Sequence, residues 1–298
     1  MLKVSYLIGL YNKENYIVEC VNSILAENSY DIEIEVCIVD DGSTDNSYNL
    51  VIDNFKNNNF VKIYKFEENR GKNAAYNKAF NLSTGNYICI FGADDIVVPG
   101  RTKGMLQLSI KSNKAVYGGL LIKNSDLSME LDRKIPKLPN YYSISMFNFL
   151  SGGAGLIPKK DCEKIFPIPE NLKFEDWWVS YFLIKHNNVS IYNDYVTIYR
   201  ISQTNDCASL DETFLEYYET KLKDFSRHFD YIDEFLKKDN NPYLLKSKDI
   251  RNVIFGKRSA RILYKELDKY TFMILFISLL GSKLFFKIIY LKKYFGNR

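Results

Sequence analysis

The apolar positions change period repeatedly along the first hundred residues. Lys3–Leu10 (KVSYLIGL) is a nearly continuous β-favouring run, after which Ile17, Cys20, Val21, Ile24 and Leu25 recur at helical spacing. Glu33–Asp40 predicts a second strand, and Asp41-Gly42-Ser43-Thr44-Asp45 a turn that caps a helix reaching about Lys56. A third strand begins at Phe60, a helix covers Lys72–Leu82, Gly85-Asn86 turns the chain, and Tyr87–Phe91 (YICIF) is a fourth strand. Strands alternating with helices imply a Rossmann-like α/β fold, with a mostly parallel central sheet, right-handed crossovers and helices on both faces.

Beyond Arg101 the pattern predicts a helix to Asn113 and a strand from Ala115. It then becomes irregular around Pro136 and Pro139 and glycine-rich at Ser151 (SGGAGLIP). Phe174 opens a helix (FEDWWVSYFLIKHN), Val189–Arg200 (VSIYNDYVTIYR) reads as a pair of short strands, and from about Asp211 the chain is mainly helical.

In sheets of this kind ligands bind outside the carboxyl ends of the strands. Polar residues cluster at those ends here: Tyr11-Asn12, Asp40-Asp41, Asn69-Arg70 and Asp94-Asp95 follow the first four strands in turn. A hydrophobic fraction of 46% over 298 residues can bury a sizeable core, and there is no repeat or low-complexity tract. Forty basic against 36 acidic side chains give +4, too small a bias to point to nucleic acid. The five cysteines are widely spaced, odd in number and without a C-x-x-C pair, as expected of reduced thiols. The amino terminus has no signal-peptide pattern, so the expected location is the cytoplasm. The two histidines, His186 and His228, stand in no ligand pattern, which excludes a histidine-rich metal site.

The stretches VSYLIGLYNKENYIVECVNSIL, IVDDGSTDNS, ENRGKNAAYNKAF, GNYICIFGADDIVVPGR and FEDWW occur in one order over roughly the first 200 residues. Together they resemble family 2 glycosyltransferases of the GT-A fold. That resemblance implies inverting transfer of a sugar from a nucleoside diphosphate donor, usually with Mn²⁺ or Mg²⁺. It also implies a domain over residues 1–210, with a nucleotide-binding half of about 1–100 and an acceptor-binding half of about 101–210, and a helical extension over 211–298.

A leaving diphosphate carries several negative charges, and a hard cation on one or two carboxylates neutralises them while keeping positions open for phosphate oxygens. The resemblance assigns metal holding to Asp94 and Asp95, with Asp94 also facing the donor. Relatives often carry a further Asp two positions before this pair, where this chain has Gly92. Asp41 resembles the acid that accepts from the nucleobase, which suits uracil or thymine, while Asp40 is placed to fix the loop. Tyr11 stands where it could stack on the base or sit at the rim. Gly9-Leu10 replaces the usual Pro-Thr or Pro-Ser, keeping backbone contacts and losing a hydroxyl. Arg70 and Lys72 lie where the family has cations near base and diphosphate; the alternative for each is a solvated loop charge. Inverting transfer needs one general base for the acceptor hydroxyl. The Glu175-Asp176 pair resembles the family's ED motif, with Asp176 as base and Glu175 as its partner; otherwise both acids simply favour a helix N-terminus. Trp177 either walls the acceptor pocket or packs inside, and Gly152-Gly153 permits close approach of donor or acceptor. Arg200 matches an arginine that meets the diphosphate, and Ser202 stands where relatives have a histidine.

Thr271 onward (TFMILFISLLGSKLFFKIIYLKKYFGNR) is apolar for about 12 residues and then interrupted by lysines, short of the about 20 that a membrane span needs. Residues 271–295 read as an in-plane amphipathic helix on the inner face of the cytoplasmic membrane, or as a helix packed on its own domain or on a second subunit. Membrane placement suits a lipid-linked saccharide acceptor, and the expected donor is a UDP-sugar before a dTDP- or GDP-sugar. Two other readings are a nucleotide-sugar binding protein without catalysis and a nucleotidyltransferase, although the glycine-rich phosphate loop of the latter is missing near the N-terminus.

Overall fold

The structure, a computed structural model, describes residues 1–138, 148, 150–202, 228, 230, 231 and 234. The chain divides into two compact units, Met1–Ala208 and Ser209–Arg298, and every element named below lies in the first. Cys207 and residues 271–295 fall outside the described residues.

Strands β1 (Leu2–Leu10), β2 (Ile32–Asp40), β3 (Val61–Lys65) and β4 (Tyr87–Gly92) alternate with helices α1 (Ile17–Leu25), α2 (Ser47–Phe55) and α3 (Lys72–Leu82). They form a parallel array in the order β3-β2-β1-β4, which is the predicted nucleotide-binding half. β1 and β2 are covered on both faces, hence their nearly unbroken apolar sequence. Val4, Tyr6, Ile8 and Leu10 join a core with Ile17, Val21 and Ile24 of α1. On the other face Gly9 lets α3 come close, since a Cβ there would lie 3.3 Å from Ala75 Cβ and 3.7 Å from the Tyr76 ring. The role of Gly9 in this structure is thus to seat a helix.

A buried carboxylate ties the same half together. Glu35 Oε1 pairs with Lys62 Nζ at 2.6 Å, while Oε2 accepts from Ser5 Oγ at 2.5 Å and from Thr84 N at 2.8 Å. Burial pushes its pKa up, but Lys62, Ser5 and Thr84 outweigh that and hold it at about 2.

The remaining elements are β5 (Ile96–Val97), α4 (Arg101–Ser112), β6 (Ala115–Lys123), β7 (Glu130–Lys134), β8 (Gly155–Pro158), α5 (Lys159–Ile165), α6 (Glu175–Lys185) and β9 (Val189–Arg200). The sheet continues past β4 as β8-β6-β9-β5, with β7 beside β6. β6 and β9 run parallel, whereas β8, β7 and β5 pair antiparallel with their neighbours. The parallel order therefore holds over the first half and becomes mixed in the second. Val189–Arg200 forms one strand, not the two that the polar Tyr192-Asn193-Asp194 interruption suggested. The interruption is absorbed as a bulge, where the register against β6 jumps between Tyr117 and Gly119. Gly118 stands at this crossing, where a Cβ would meet Val196 Cγ1 at 2.4 Å.

Candidate active site

Parallel register places the ends of β1, β2 and β3 level, with Leu10 opposite Asp40 and Asp40 opposite Lys65, and β4 ends beside Gly9 at Gly92. The loops that follow are stitched to one another. Asn12 Oδ1 accepts from Thr44 N at 2.9 Å, and Ser43 Oγ accepts from Asn12 N at 3.1 Å. Asp41 clasps the loop after β3, accepting from Arg70 N at 2.8 Å on one oxygen and from Gly71 N at 2.9 Å on the other. Burial raises the pKa of Asp41 despite these two donors. Asp40 is fully buried; its Oδ2 accepts from Ser43 N at 3.1 Å, and its Oδ1 has no hydrogen-bond partner. Both acids thus fix loops, and Asp40 retains a buried acceptor that can take a further donor. Tyr11 is exposed at the rim, and Arg70 lies over the Phe66 ring at 4.8 Å with Nη2 3.5 Å from Glu170 Oε1.

Asp94 and Asp95 are both buried in the turn between β4 and β5. Asp94 Oδ1 and Asp95 Oδ2 converge on the space that a Cβ on Gly92 would fill, at 3.2 and 2.8 Å from it. The opposite oxygens are occupied: Lys13 Nζ donates to Asp94 Oδ2 at 2.6 Å, and Arg200 N donates to Asp95 Oδ1 at 3.1 Å. Burial and then the neighbouring Asp94 charge raise the pKa of Asp95. A cradle of two hard oxygens with a raised affinity for positive charge fits a divalent cation. Among the described residues no group of three or more His, Cys, Asp or Glu stands together, so such a cation would rest on these two carboxylates.

Arg200 is buried at the end of β9 and braces the acidic turn. Nε donates to Asp94 O at 2.9 Å, Nη1 to Ser125 O at 2.5 Å and Nη2 to Glu19 Oε2 at 2.6 Å, while the guanidinium stacks 4.7 Å from the Tyr16 ring. Each of its nitrogens has a protein partner, so its place is beneath the acid pair.

Glu175 and Asp176 form the first turn of α6. Lys72 Nζ lies 2.7 Å from Glu175 Oε2, joining two predicted site residues that are far apart in sequence. Asp176 Oδ1 accepts from Trp177 N at 2.8 Å, and burial followed by the Glu175 charge pushes its carboxyl up to about 7. That is a value suited to a general base at neutral pH. Trp177 is 2% exposed and packs near Phe174, which places its ring inside.

Two consecutive glycines stand one against each acidic pair. A Cβ on Gly152 would lie 3.3 Å from Asp176 Cβ, and one on Gly153 would lie 3.4 Å from Asp95 Oδ2. The buried Tyr76 hydroxyl feels both pairs, its pKa raised by burial and by the charges of Glu175, Asp94 and Asp95, against Lys72. A cavity of about 580 Å³ lies elsewhere, at the amino ends of β1 and β4 beside Leu2, Asn86 and Lys159.

The sequence profile described as Glycosyl transferase family 2 matches residues 5–158, more than half of the chain. The chain belongs to this family. It is 27% identical over 252 residues to an uncharacterized glycosyltransferase of Nostoc sp., covering 79% of this chain and 76% of that protein. Abequosyltransferase RfbV of Salmonella typhimurium is 34% identical over 116 residues, which span 38% of this chain and 34% of RfbV. Among solved structures, S. aureus TarS residues 1–349 in complex with UDP-GlcNAc superposes with a TM-score of 0.59 at 18% identity, covering 99% of this chain and 93% of that one. This similarity bears on the fold, which is that of GT-A glycosyltransferases.

In this family 2 glycosyltransferase the polar loops after β1, β2, β3 and β4 lie along one edge of the sheet, as the strand ends implied. Four residues that the sequence reading passed over complete the site. Lys13 pairs with Asp94, and Glu19 pairs with Arg200. Arg101, buried at the start of α4, donates Nη1 to Gly153 O at 2.7 Å and Nη2 to Gly155 O at 3.0 Å, which fixes the glycine step. Asn73 Nδ2 holds the segment leading into α6 through Pro169 O at 3.0 Å and Leu172 O at 2.6 Å. Among the described residues no helix is long and apolar enough to cross a membrane.

Proposed function

We propose that the chain transfers a sugar from a nucleoside diphosphate donor, in first place a UDP-sugar, to a saccharide or lipid-linked saccharide hydroxyl, inverting the anomeric centre. The observation that carries this reading is the Gly152-Gly153 step, flanked by Asp176 on one residue and Asp95 on the next. Asp176 takes the proton from the acceptor hydroxyl as it attacks, and Glu175, tied to Lys72, holds negative charge next to it and keeps it basic. Asp94 and Asp95 would hold Mn²⁺ or Mg²⁺, which neutralises charge on the departing diphosphate. Asp41 stands for the acid that accepts from the base, and Asp40 fixes the loop beside it through Ser43. Among similar proteins, an abequosyltransferase is named for transfer of a sugar, and chondroitin and hyaluronan synthases for the polysaccharides they make, which supports a role in polysaccharide assembly.

The test is release of nucleoside diphosphate from a panel of nucleotide sugars with Mn²⁺ and saccharide or lipid-extract acceptors, with the product anomer read by NMR. Transfer with an inverted anomer that Asp176→Asn abolishes is the expected result. UDP binding without any turnover across the panel would leave a binding protein instead, and retention of configuration would remove Asp176 as base.

A further inference from the structure

Lys13 stands at the acid pair in a way that bears on how a cation enters it. Its ammonium lies 2.6 Å from Asp94 Oδ2, with the side chains of Lys13 and Asp94 only 14% and 11% exposed. The contact spans 81 residues of sequence, and the main chain from which it reaches is held, Lys13 N donating to Ser47 Oγ at 2.7 Å. Asp94 therefore offers the cradle below Gly92 one oxygen while its other oxygen is paired with a fixed positive charge.

We infer that Lys13 is a built-in counter-cation that lowers the affinity of the Asp94–Asp95 cradle for a divalent ion until a diphosphate arrives. Lys13 offsets one unit of negative charge at the cradle, and a nearby cation disfavours a second one. A diphosphate supplies further anionic oxygens, so that the ammonium and the divalent ion cease to compete for one carboxylate. Cation and nucleotide then bind cooperatively, each tightening the other by the same factor. This inference rests on the metal-assisted reading above, and it assigns to Lys13 a positioning and charge-balancing part.

The experiment is Mn²⁺ titration followed by electron paramagnetic resonance on the full chain, with and without UDP, for wild type, Lys13→Met, Lys13→Gln and Lys13→Arg. Without UDP, the Met and Gln variants are expected to bind Mn²⁺ about tenfold more tightly than wild type, and Lys13→Arg within about twofold of it. UDP is expected to tighten Mn²⁺ binding more in wild type than in the two neutral variants. Thermal shift gives a second readout: loss of the ammonium leaves Asp94 unpaired, so the neutral variants melt lower without Mn²⁺ and gain more from its addition. Equal or weaker Mn²⁺ binding by both neutral variants overturns the role of Lys13. Absence of Mn²⁺ binding in every protein with UDP present overturns the metal reading itself.

Discussion

A methyl group on Gly92 would stand 2.8 Å from Asp95 Oδ2, nearer than side chains tolerate. The absence of a side chain at this position is thus what allows Asp94 and Asp95 to converge. Gly92→Ala is expected to rotate the carboxylates apart and weaken Mn²⁺ binding in the presence of UDP about 10–100-fold, with the fold retained. Calorimetric titration checks this, and unchanged affinity would mean that the cradle is not the cation site.

The raised pKa of Asp176 gives a pH dependence of definite sign. The base must be ionised, so kcat/KM is expected to rise with pH and level off above about 7. For stability the sign is opposite: an acid whose folded pKa exceeds its unfolded value favours folding while protonated, and that contribution is lost as pH rises through about 7. Asp176→Asn should therefore abolish transfer and raise Tm by about 2–4 °C at pH 8 while leaving it nearly unchanged at pH 4. Unfolding scans at the two pH values, beside turnover assays, separate these effects.

Glu35 behaves in the reverse way. Its folded pKa of about 2 lies below the ordinary glutamate value, so it stabilises the fold above about pH 4.5 and loses that contribution as pH falls toward 2. Glu35→Gln is expected to cost about 2 kcal/mol at pH 7 and much less at pH 3. Urea titrations of both proteins at the two pH values measure the difference, and a cost independent of pH would assign the loss to packing.

Asp41 holds two backbone amides of the loop after β3. Asp41→Ala frees both and is expected to raise the Kd for UDP about tenfold, with Asp41→Asn intermediate because its single carbonyl oxygen keeps one acceptor. Isothermal titration of the three proteins gives the order, and equal affinity for all three would separate Asp41 from the nucleotide site.

The sequence made the first half of the fold readable because each strand and helix there has its own period and its own turn. Asp94-Asp95 was readable because a double charge at the end of a buried strand has few structural reasons to exist, whereas Glu175-Asp176 stood out only through the family resemblance, since acids also favour a helix N-terminus. Lys13 and Glu19 were not readable, since their partners are 81 and 181 residues away and a surface lysine or glutamate carries no local signal of such pairing. Arg101 was hidden in the same way, reading as the start of a helix although it is buried against Gly153, Gly155 and Thr197. The unity of β9 was missed because a bulge and a turn share the same polar residues, and only the neighbouring strand decides between them.

Helix α3 holds the approach to α6 largely through its main chain: Asn73 donates to the carbonyls of residues 169, 170 and 172, and Asn77 both donates to the carbonyl and accepts from the amide of residue 168. Hydrogen bonds to a main chain place no demand on the exposed side chains that it carries. Glu170 and Asn171, exposed between the buried Ile168 and Leu172, can therefore vary while the main chain leading to Asp176 stays held.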